Sequence, residues 1–363
     1  MTQKPHIHQG IAGLRPYQPG KPIDELAREL GLDSIIKLAS NENPRGPGEL
    51  VQQAIQRETA TLSRYPDGNG YVLKQALVKH TGVRSGQITL GNGSNDVLDL
   101  IARVTVEPGC QAVISEHSFV VYRLAVTIAG GGLIEVPAKD FGTDLEAMAA
   151  AITPQTTVVF VANPNNPTGT WVTHNAFKAF LDSVPEHVWV VLDEAYLEYA
   201  DHPEYPDALA LLQAHPNLIV TRTFSKIHGL AALRVGYGLS SEAFADLLNR
   251  ARQPFNVGSI GLAAAAAALE DQEFVSVSVD LNRQGMTQIT QGLSALGLSY
   301  IPSMGNFVSF DAGRSGTEVF QALLQQGVIV RSIAEYGLPS HVRVSIGLPE
   351  ENQRFLDVLP SVI

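Results

Sequence analysis

The sequence predicts an α/β fold: a mainly parallel sheet sandwiched by helices, followed by a smaller α+β unit toward the C-terminus. Three observations predict it. From about residue 87, short β-rich runs alternate with helical stretches; after about residue 252 the alternation stops; and 363 residues at ~150 per domain suggest two domains.

Taken in order, Asp24–Leu30 reads as a short helix with Asp24 as N-cap and Gly31 as its stop. A loop rich in Asn, Pro and Gly, Ser40–Gly48, precedes a second helix, Glu49–Leu62. The β-rich runs are Gln87–Leu90, Cys110–Ser115, Leu133–Val136, Thr157–Ala162, Val188–Leu192, Leu218–Thr223 and Arg234–Leu239. Between them lie the helical stretches Ser94–Val106, Ser118–Ala129, Leu145–Ile152 and Thr173–Val184. Such alternation argues for parallel strands covered on both faces, with ligands at their carboxyl ends. A long helical region, Ile260–Leu296, follows, and its alanine run Ala263–Ala268 suits a tightly packed helix. Strand-like runs at Phe307–Phe310 and Val342–Ile346, with a helix between, complete the small unit. The expected division is an arm over 1–37, a large domain over 38–252 and a small domain over 253–363.

Composition narrows the function classes. Apolar residues make up 45%, charged residues 17%, and the net charge is −11, so the chain lacks the basic footprint of a nucleic-acid binder. A single cysteine, Cys110, excludes an intramolecular disulfide and a Cys-rich zinc site. The longest apolar run, Leu262–Leu269, is far short of the ~20 residues of a membrane span. The N-terminal MTQKPHIHQG has no apolar signal core, so a soluble cytoplasmic protein is expected. No metal site is expected: His6 and His8 read as a solvated tail, and neither H-E-x-x-H nor G-x-S-x-G occurs.

Four loops after predicted strands carry candidate chemistry. Gly91-Asn92-Gly93-Ser94-Asn95-Asp96 opens a helix, whose free N–H groups favour an anion such as phosphate. Asn163-Pro164-Asn165-Asn166-Pro167-Thr168-Gly169 has a constrained path that can aim an Asn amide into a cleft. Asp193-Glu194-Ala195-Tyr196 places an acid at a strand end. Thr223-Phe224-Ser225-Lys226, with Arg234 eight residues on, places a lysine near hydroxyls and a second cation, where its pKa falls and it can bond a carbonyl. Alone, each has a plainer reading: a Gly-rich turn, a rigid turn, a helix N-cap, a surface lysine. Together, an anion site, a carboxylate for a ring nitrogen and a Schiff-base lysine match pyridoxal 5′-phosphate.

These loops belong to longer motifs: Leu38-Ala39-Ser40-Asn41-Glu42-Asn43-Pro44 with Gly46-Pro47, Arg64-Tyr65-Pro66-Asp67, and Leu233-Arg234-Val235-Gly236-Tyr237, with Arg343 in Val342–Gly347. On them, and over nearly its whole length, the chain resembles the fold-type I pyridoxal-phosphate aminotransferases (an aspartate-aminotransferase-like fold, class II subfamily), and among these the histidinol-phosphate aminotransferases. The resemblance implies Lys226 as the Schiff-base lysine and proton carrier, with Asp193 on the pyridinium nitrogen, ionised because it is paired with that cation. It implies Asn166 and Tyr196 on the phenolic O3′ and Phe119 stacked on the ring. Ser94, Asn95, Thr223, Ser225 and Arg234 would hold the phosphate. Tyr65 would reach the neighbouring subunit's phosphate, so the active unit would be a homodimer with shared sites. Tyr17, Asn43, Arg331 and Arg343 would contact substrate, and Asn256 would line the interface. The chain departs from the family at His228, where a Tyr is usual, and at Leu348, where a Thr is common. His228 is expected to be packed or solvated.

The activity so implied is transamination of L-histidinol phosphate with 2-oxoglutarate, giving imidazole-acetol phosphate and glutamate, a step of histidine biosynthesis. Alternatives are an aromatic amino-acid aminotransferase, which needs a carboxylate at Cα, and a phosphothreonine decarboxylase-like lyase, which needs no keto acid. A non-catalytic cofactor-binding regulator is opposed by the presence of Lys226 and the lack of an attached DNA-binding domain.

Overall fold

In the computed structural model, which describes residues 8–14, 20–32 and 34–363, seven strands form the main sheet. Their order is Ile88–Gly91, Gly236–Leu239, Leu218–Thr223, Trp189–Asp193, Thr156–Ala162, Gln111–Ser115 and Gly132–Val136. The last five pair in parallel. Gly236–Leu239 runs antiparallel to both of its neighbours. The connection from Leu218–Thr223, residues 224–235, holds a 3₁₀ turn, Ala231–Leu233, and no α-helix that could carry the chain back across the sheet face for a parallel return.

The central strands are buried on both faces, and their alternate residues feed two cores. Val190 and Leu192 pack with Phe177, Leu181 and Leu211 on one side. Val191 packs with Tyr122, Phe160 and Phe244 on the other. Each such side chain contributes about 1.5–3 kcal/mol by leaving water, so the strand ends are firmly placed.

Among the helices beyond the expected set, which include Ala208–Ala214, Glu242–Ala251 and Pro349–Val358, Tyr71–Thr81 buries Leu73 and Leu77. Its start is hidden in the sequence because the residue before it is Gly70, in the left-handed region at φ 62. The Asp67 carboxylate accepts from the backbone N–H groups of Asn69 and Tyr71 instead, at 2.9 and 2.7 Å. The helix expected from an Asp24 N-cap begins one residue earlier, as Ile23–Leu30, after Pro22, and does end at Gly31 in the left-handed conformation.

The small unit carries an antiparallel sheet in the order Arg331–Ser332, His341–Ser345, Phe307–Asp311, Tyr300–Ile301. Ile289, Val308, Phe310, Val319, Leu323, Val344 and Phe355 form its core. The long helical region is two helices, Ser259–Glu270 and Gln272–Ala295, because the Asp271 side chain accepts from Phe274 N and starts the second. Alanines 264–266 and 268 of the first helix pack in the large unit's core with Leu73 and Leu77. The strap Ile36–Lys37 instead pairs in parallel with Val328–Ile329, and Leu38 joins the small core. We therefore propose a division at Asp271 rather than at 252, with the strap, expected to be split between an arm and the large domain, assigned to the small unit. Among the described residues, no helix is long and apolar enough to cross a membrane.

Candidate active site

At the carboxyl ends of the parallel strands, the four loops enclose a cavity of about 170 Å³. Ser94 and Asn95 line one end of it, at the N-terminus of helix Ser94–Thr105, where backbone N–H groups are not consumed by the helix. Gly236 lets the sheet approach that helix start, since a Cβ there would lie 2.3 Å from the Ser94 amide nitrogen. Arg234 donates to Ser225 Oγ at 3.2 Å and to the Ala231 carbonyl at 3.0 Å, and Thr223 Oγ1 accepts from Ser225 N at 3.1 Å. Helix N–H groups, two hydroxyls and a guanidinium thus converge on one end of the cavity, a donor set that fits a phosphate.

Asp193 lies further in, only 4% exposed. Tyr122 donates to its Oδ2 at 2.8 Å and Thr221 to its Oδ1 at 2.9 Å. Burial pushes this carboxyl up, while the two hydroxyls and the charge of Lys226 pull it down. The hydroxyls are neutral, so a protonated ring nitrogen in the cavity suits this acid and would favour its ionised form. Phe119 and Ala195 both line the cavity, and Phe119 meets Tyr122 edge-on at 5.9 Å.

Lys226 Nζ donates to the Ser40 carbonyl at 3.2 Å and stands 5.5 Å from the centre of the Tyr196 ring. Burial first, and then the charges of Arg343 and Arg234, bring its amine down to about 8, against the opposing pull of Glu42 and Asp193. An amine titrating near neutrality is a nucleophile and a base at working pH.

The Asn loop is braced so that one amide faces the cavity. Asn163 Oδ1 accepts from Val172 N at 2.9 Å, and Asn165 Nδ2 donates to Thr168 Oγ1 at 2.8 Å and to the His117 carbonyl at 3.1 Å. The Asn163–Pro164 and Asn166–Pro167 peptides are both cis. Asn166 is left lining the cavity, where its Oδ1 accepts from Arg343. Arg343 also donates to the Ala39 carbonyl at 2.6 Å and lies over the Phe307 ring.

Among the described residues, four expected site residues do not line this cavity: Arg343, which reaches it through Asn166, and Asn43, Arg331 and Tyr65. Asn43 turns away from it, donating to the Ile227 carbonyl at 2.7 Å and to Ser278 Oγ at 3.1 Å, so it braces the lysine loop from behind. Arg331 lines a separate groove with Lys21, Thr317 and Phe320 and is ion-paired with Glu335. It does sit directly across the sheet from Arg343, hence on the same face. Tyr65 is 83% exposed and stacks on Phe255 at 4.9 Å. Tyr17 lies outside the described residues. Asn256, expected at an interface, spends its amide inside the chain, on the Leu90 carbonyl and Asp96 at 3.1 and 3.0 Å. His228 is packed, 5.0 Å from the Phe224 ring, and burial lowers its pKa to about 3.

Tyr122, Thr221, Ala195 and Asn41 were not expected at the site. Thr221 was within reach of sequence reasoning, because residues two apart on strand Leu218–Thr223 share the face of Thr223. Asn41, whose Nδ2 donates to Tyr196 Oη at 2.9 Å, comes from a segment distant in sequence and had no such signal.

Residues 33–359 match the family model for aminotransferases of class I and II. A histidinol-phosphate aminotransferase 2 of Pseudomonas aeruginosa is 58% identical over 98% of this chain and 96% of its own. A histidinol-phosphate aminotransferase 1 of Nitrosococcus oceani is 53% identical over 98% and 96%. Among solved structures, the histidinol-phosphate aminotransferase of Sinorhizobium meliloti in complex with pyridoxal-5′-phosphate superposes with a TM-score of 0.91 at 32% identity, over 99% of this chain and 98% of that one.

Proposed function

Because the chain belongs to the class I and II aminotransferases, within the histidinol-phosphate aminotransferase family, and is a pyridoxal-phosphate-dependent enzyme, we propose that it moves the amino group of L-histidinol phosphate to 2-oxoglutarate. The products are imidazole-acetol phosphate and glutamate, a step of histidine biosynthesis, and a cytoplasmic location is consistent with that step. The observation that carries this reading is the meeting, in one cavity, of Lys226, Asp193 and an anion cradle.

When bound, pyridoxal phosphate supplies an aldehyde to accept the amino group and an electron-poor ring that acidifies the substrate's Cα–H. The Ser94 and Asn95 N–H groups, Thr223, Ser225 and Arg234 fix the phosphate. Asp193, oriented by Tyr122 and Thr221, holds the ring nitrogen's proton in place. Phe119 and Ala195 line the space that the ring would take, and Asn166 and Tyr196 would hydrogen-bond its phenolic oxygen. Lys226 carries the substrate's Cα proton, which its lowered pKa suits it to take and return. Arg343 pairs with the carboxylate of the keto acid, exchanging its contacts to Asn166 and Ala39 for a charged partner. We assign the phosphate of the amino donor to Arg331, whose guanidinium shares the sheet face of Arg343.

The same reading gives a homodimer with shared sites. Supporting it, Leu62, Tyr65, Tyr71, Val72 and Phe255 are apolar or aromatic and exposed on one chain, with Tyr65 available to a neighbour's phosphate. The test is amino-donor specificity with 2-oxoglutarate, comparing histidinol phosphate, phenylalanine and phosphothreonine. The largest kcat/KM is expected for histidinol phosphate. A preference for phenylalanine, or carbon dioxide release from phosphothreonine without glutamate formation, would replace this reading.

A further inference from the structure

Tyr196 meets a side chain that belongs to the other half of the molecule. Asn41 lies in the strap beside the small unit, at φ 54, and its Nδ2 donates to Tyr196 Oη at 2.9 Å. Its other hydrogen bonds among the described residues are with that unit. Its backbone N–H donates to Ser345 Oγ at 2.8 Å, and Ser345 Oγ donates in turn to Asn41 Oδ1 at 2.9 Å. Asn306 Nδ2 donates to the Asn41 carbonyl at 3.0 Å. Asn41, Asn306 and Ser345 are 1%, 2% and 4% exposed, so water does not compete for these bonds.

The direction of each bond matters. The Ser345 hydroxyl accepts from a backbone N–H and gives its one hydrogen to Asn41 Oδ1, so the NH₂ edge of the amide is the edge that faces Tyr196. A tyrosine oxygen that accepts from this amide directs its own hydrogen away from it, and Tyr196 lines the cavity. We propose that Ser345 and Asn41 are positioning residues that make Tyr196 a hydrogen-bond donor toward the phenolic oxygen of the cofactor, and that this donation depends on how the small unit is seated against the large one. The proposal rests on the cofactor reading above. It adds two residues, neither lining the cavity, that reach the cofactor's electronics through a third.

Among the described residues, the charged and titratable groups near Tyr196 include Lys226, 5.5 Å from its ring, Asp193, three residues before it in the chain, Tyr122 and Tyr199, and Arg343, which lies over the Phe307 ring that packs against Tyr196. None of them is altered by changing Ser345. A hydrogen bond given to the phenolic oxygen stabilises its negative form, so losing it raises the pH at which the bound chromophore titrates.

The experiment follows that midpoint by absorbance in holoenzyme reconstituted with pyridoxal phosphate, for wild type, Ser345→Ala, Tyr196→Phe and the double variant. Ser345→Ala is expected to raise the midpoint by about 0.5–1 pH unit, as loss of roughly one hydrogen bond should. It should add nothing in the Tyr196→Phe background, because the effect passes through that hydroxyl. Ser345→Thr should return the midpoint to the wild-type value. Asn41→Gly, which suits the positive φ, gives a second route to the same upward shift if Ser345→Ala does not fold. A midpoint unmoved by Ser345→Ala, or moved equally with and without the Tyr196 hydroxyl, would overturn the proposal while leaving the cofactor reading intact. A wild type that forms no chromophore would overturn both.

Discussion

Asp193, Thr221, Thr223 and Lys226 stand at or just beyond the ends of strands buried on both faces, whereas Asn41, Arg331 and Arg343 stand on the small antiparallel sheet and the strap beside it. The first group is held by a continuous core that includes Val190, Leu192 and Val220. The second reaches the first through polar contacts, Arg343 to Asn166, Asn41 to Tyr196, Asn43 to the Ile227 carbonyl and Lys226 to the Ser40 carbonyl, beside one small apolar cluster in which Phe307 packs with Tyr196, Tyr199 and Ile227. The groups that must keep fixed distances during proton transfer share one packed body. The groups that recognise substrate sit on another, joined by bonds that can be exchanged for substrate contacts. Substitutions in the first set should therefore change kcat, and those in the second should change KM or spectroscopic constants.

Lys226→Ala is the most severe break. Removing the amine takes away both the bond to the cofactor and the proton carrier, and turnover should fall by ~10⁴-fold or more, with loss of the yellow chromophore. Steady-state assay and absorbance decide it; a rate within about tenfold of wild type would place the chemistry elsewhere. Asp193→Asn comes next. The variant keeps shape and hydrogen-bonding capacity but lacks the charge, so it should still bind cofactor and turn yellow while kcat falls by ~10²–10⁴-fold. An unchanged kcat would show that the ring nitrogen is not its partner.

Arg343→Gln crosses between the two groups. Loss of a charge-assisted pair worth about 1.5–3 kcal/mol should raise KM for 2-oxoglutarate by roughly 10–100-fold with a smaller change in kcat. It should also act on Lys226. The Arg343 charge is, after burial, the leading cause of the lowered amine pKa, so its removal moves that pKa up from about 8. The neutral amine captures the aldehyde, and its fraction rises as pH passes through the pKa. Capture of pyridoxal phosphate by apoenzyme should therefore require higher pH in the variant. Stopped-flow absorbance across pH tests this, and an unshifted profile would separate the two residues electrostatically.

The same contrast explains what could be read from sequence. The apolar runs of the large unit, with Gly and Asn loops after them, announce their strands because both faces are buried and the loops carry the chemistry. The antiparallel turn of Gly236–Leu239 was hidden because it follows a connection without a crossover helix, which composition does not announce. The small unit was legible only coarsely: its sheet is closed by two-residue strands, such as Arg331–Ser332, too short to leave a periodic trace. Asn43 and Asn41 show the limit most clearly. Both occur in one motif, and only the three-dimensional path of the strap reveals that Asn41 meets Tyr196 while Asn43 faces the Ile227 carbonyl.

Glu335→Gln should have the smallest effect and tests the substrate end of the small unit. Glu335 is ion-paired with Arg331, and its side chain is 44% exposed. An exposed pair of this kind is worth about 0.2–1 kcal/mol and is weakened by salt. Any phosphate that binds Arg331 must compete with Glu335, so neutralising the glutamate should lower KM for the phosphate-bearing donor by up to about fivefold at low salt. The gain should shrink at high salt, where the competing pair is already screened. Donors without a phosphate should be unaffected, since they have no call on Arg331. A KM that falls equally for phenylalanine and histidinol phosphate would mean that Glu335 acts on the general field of the cavity, and Arg331 would lose its assignment to the donor's phosphate.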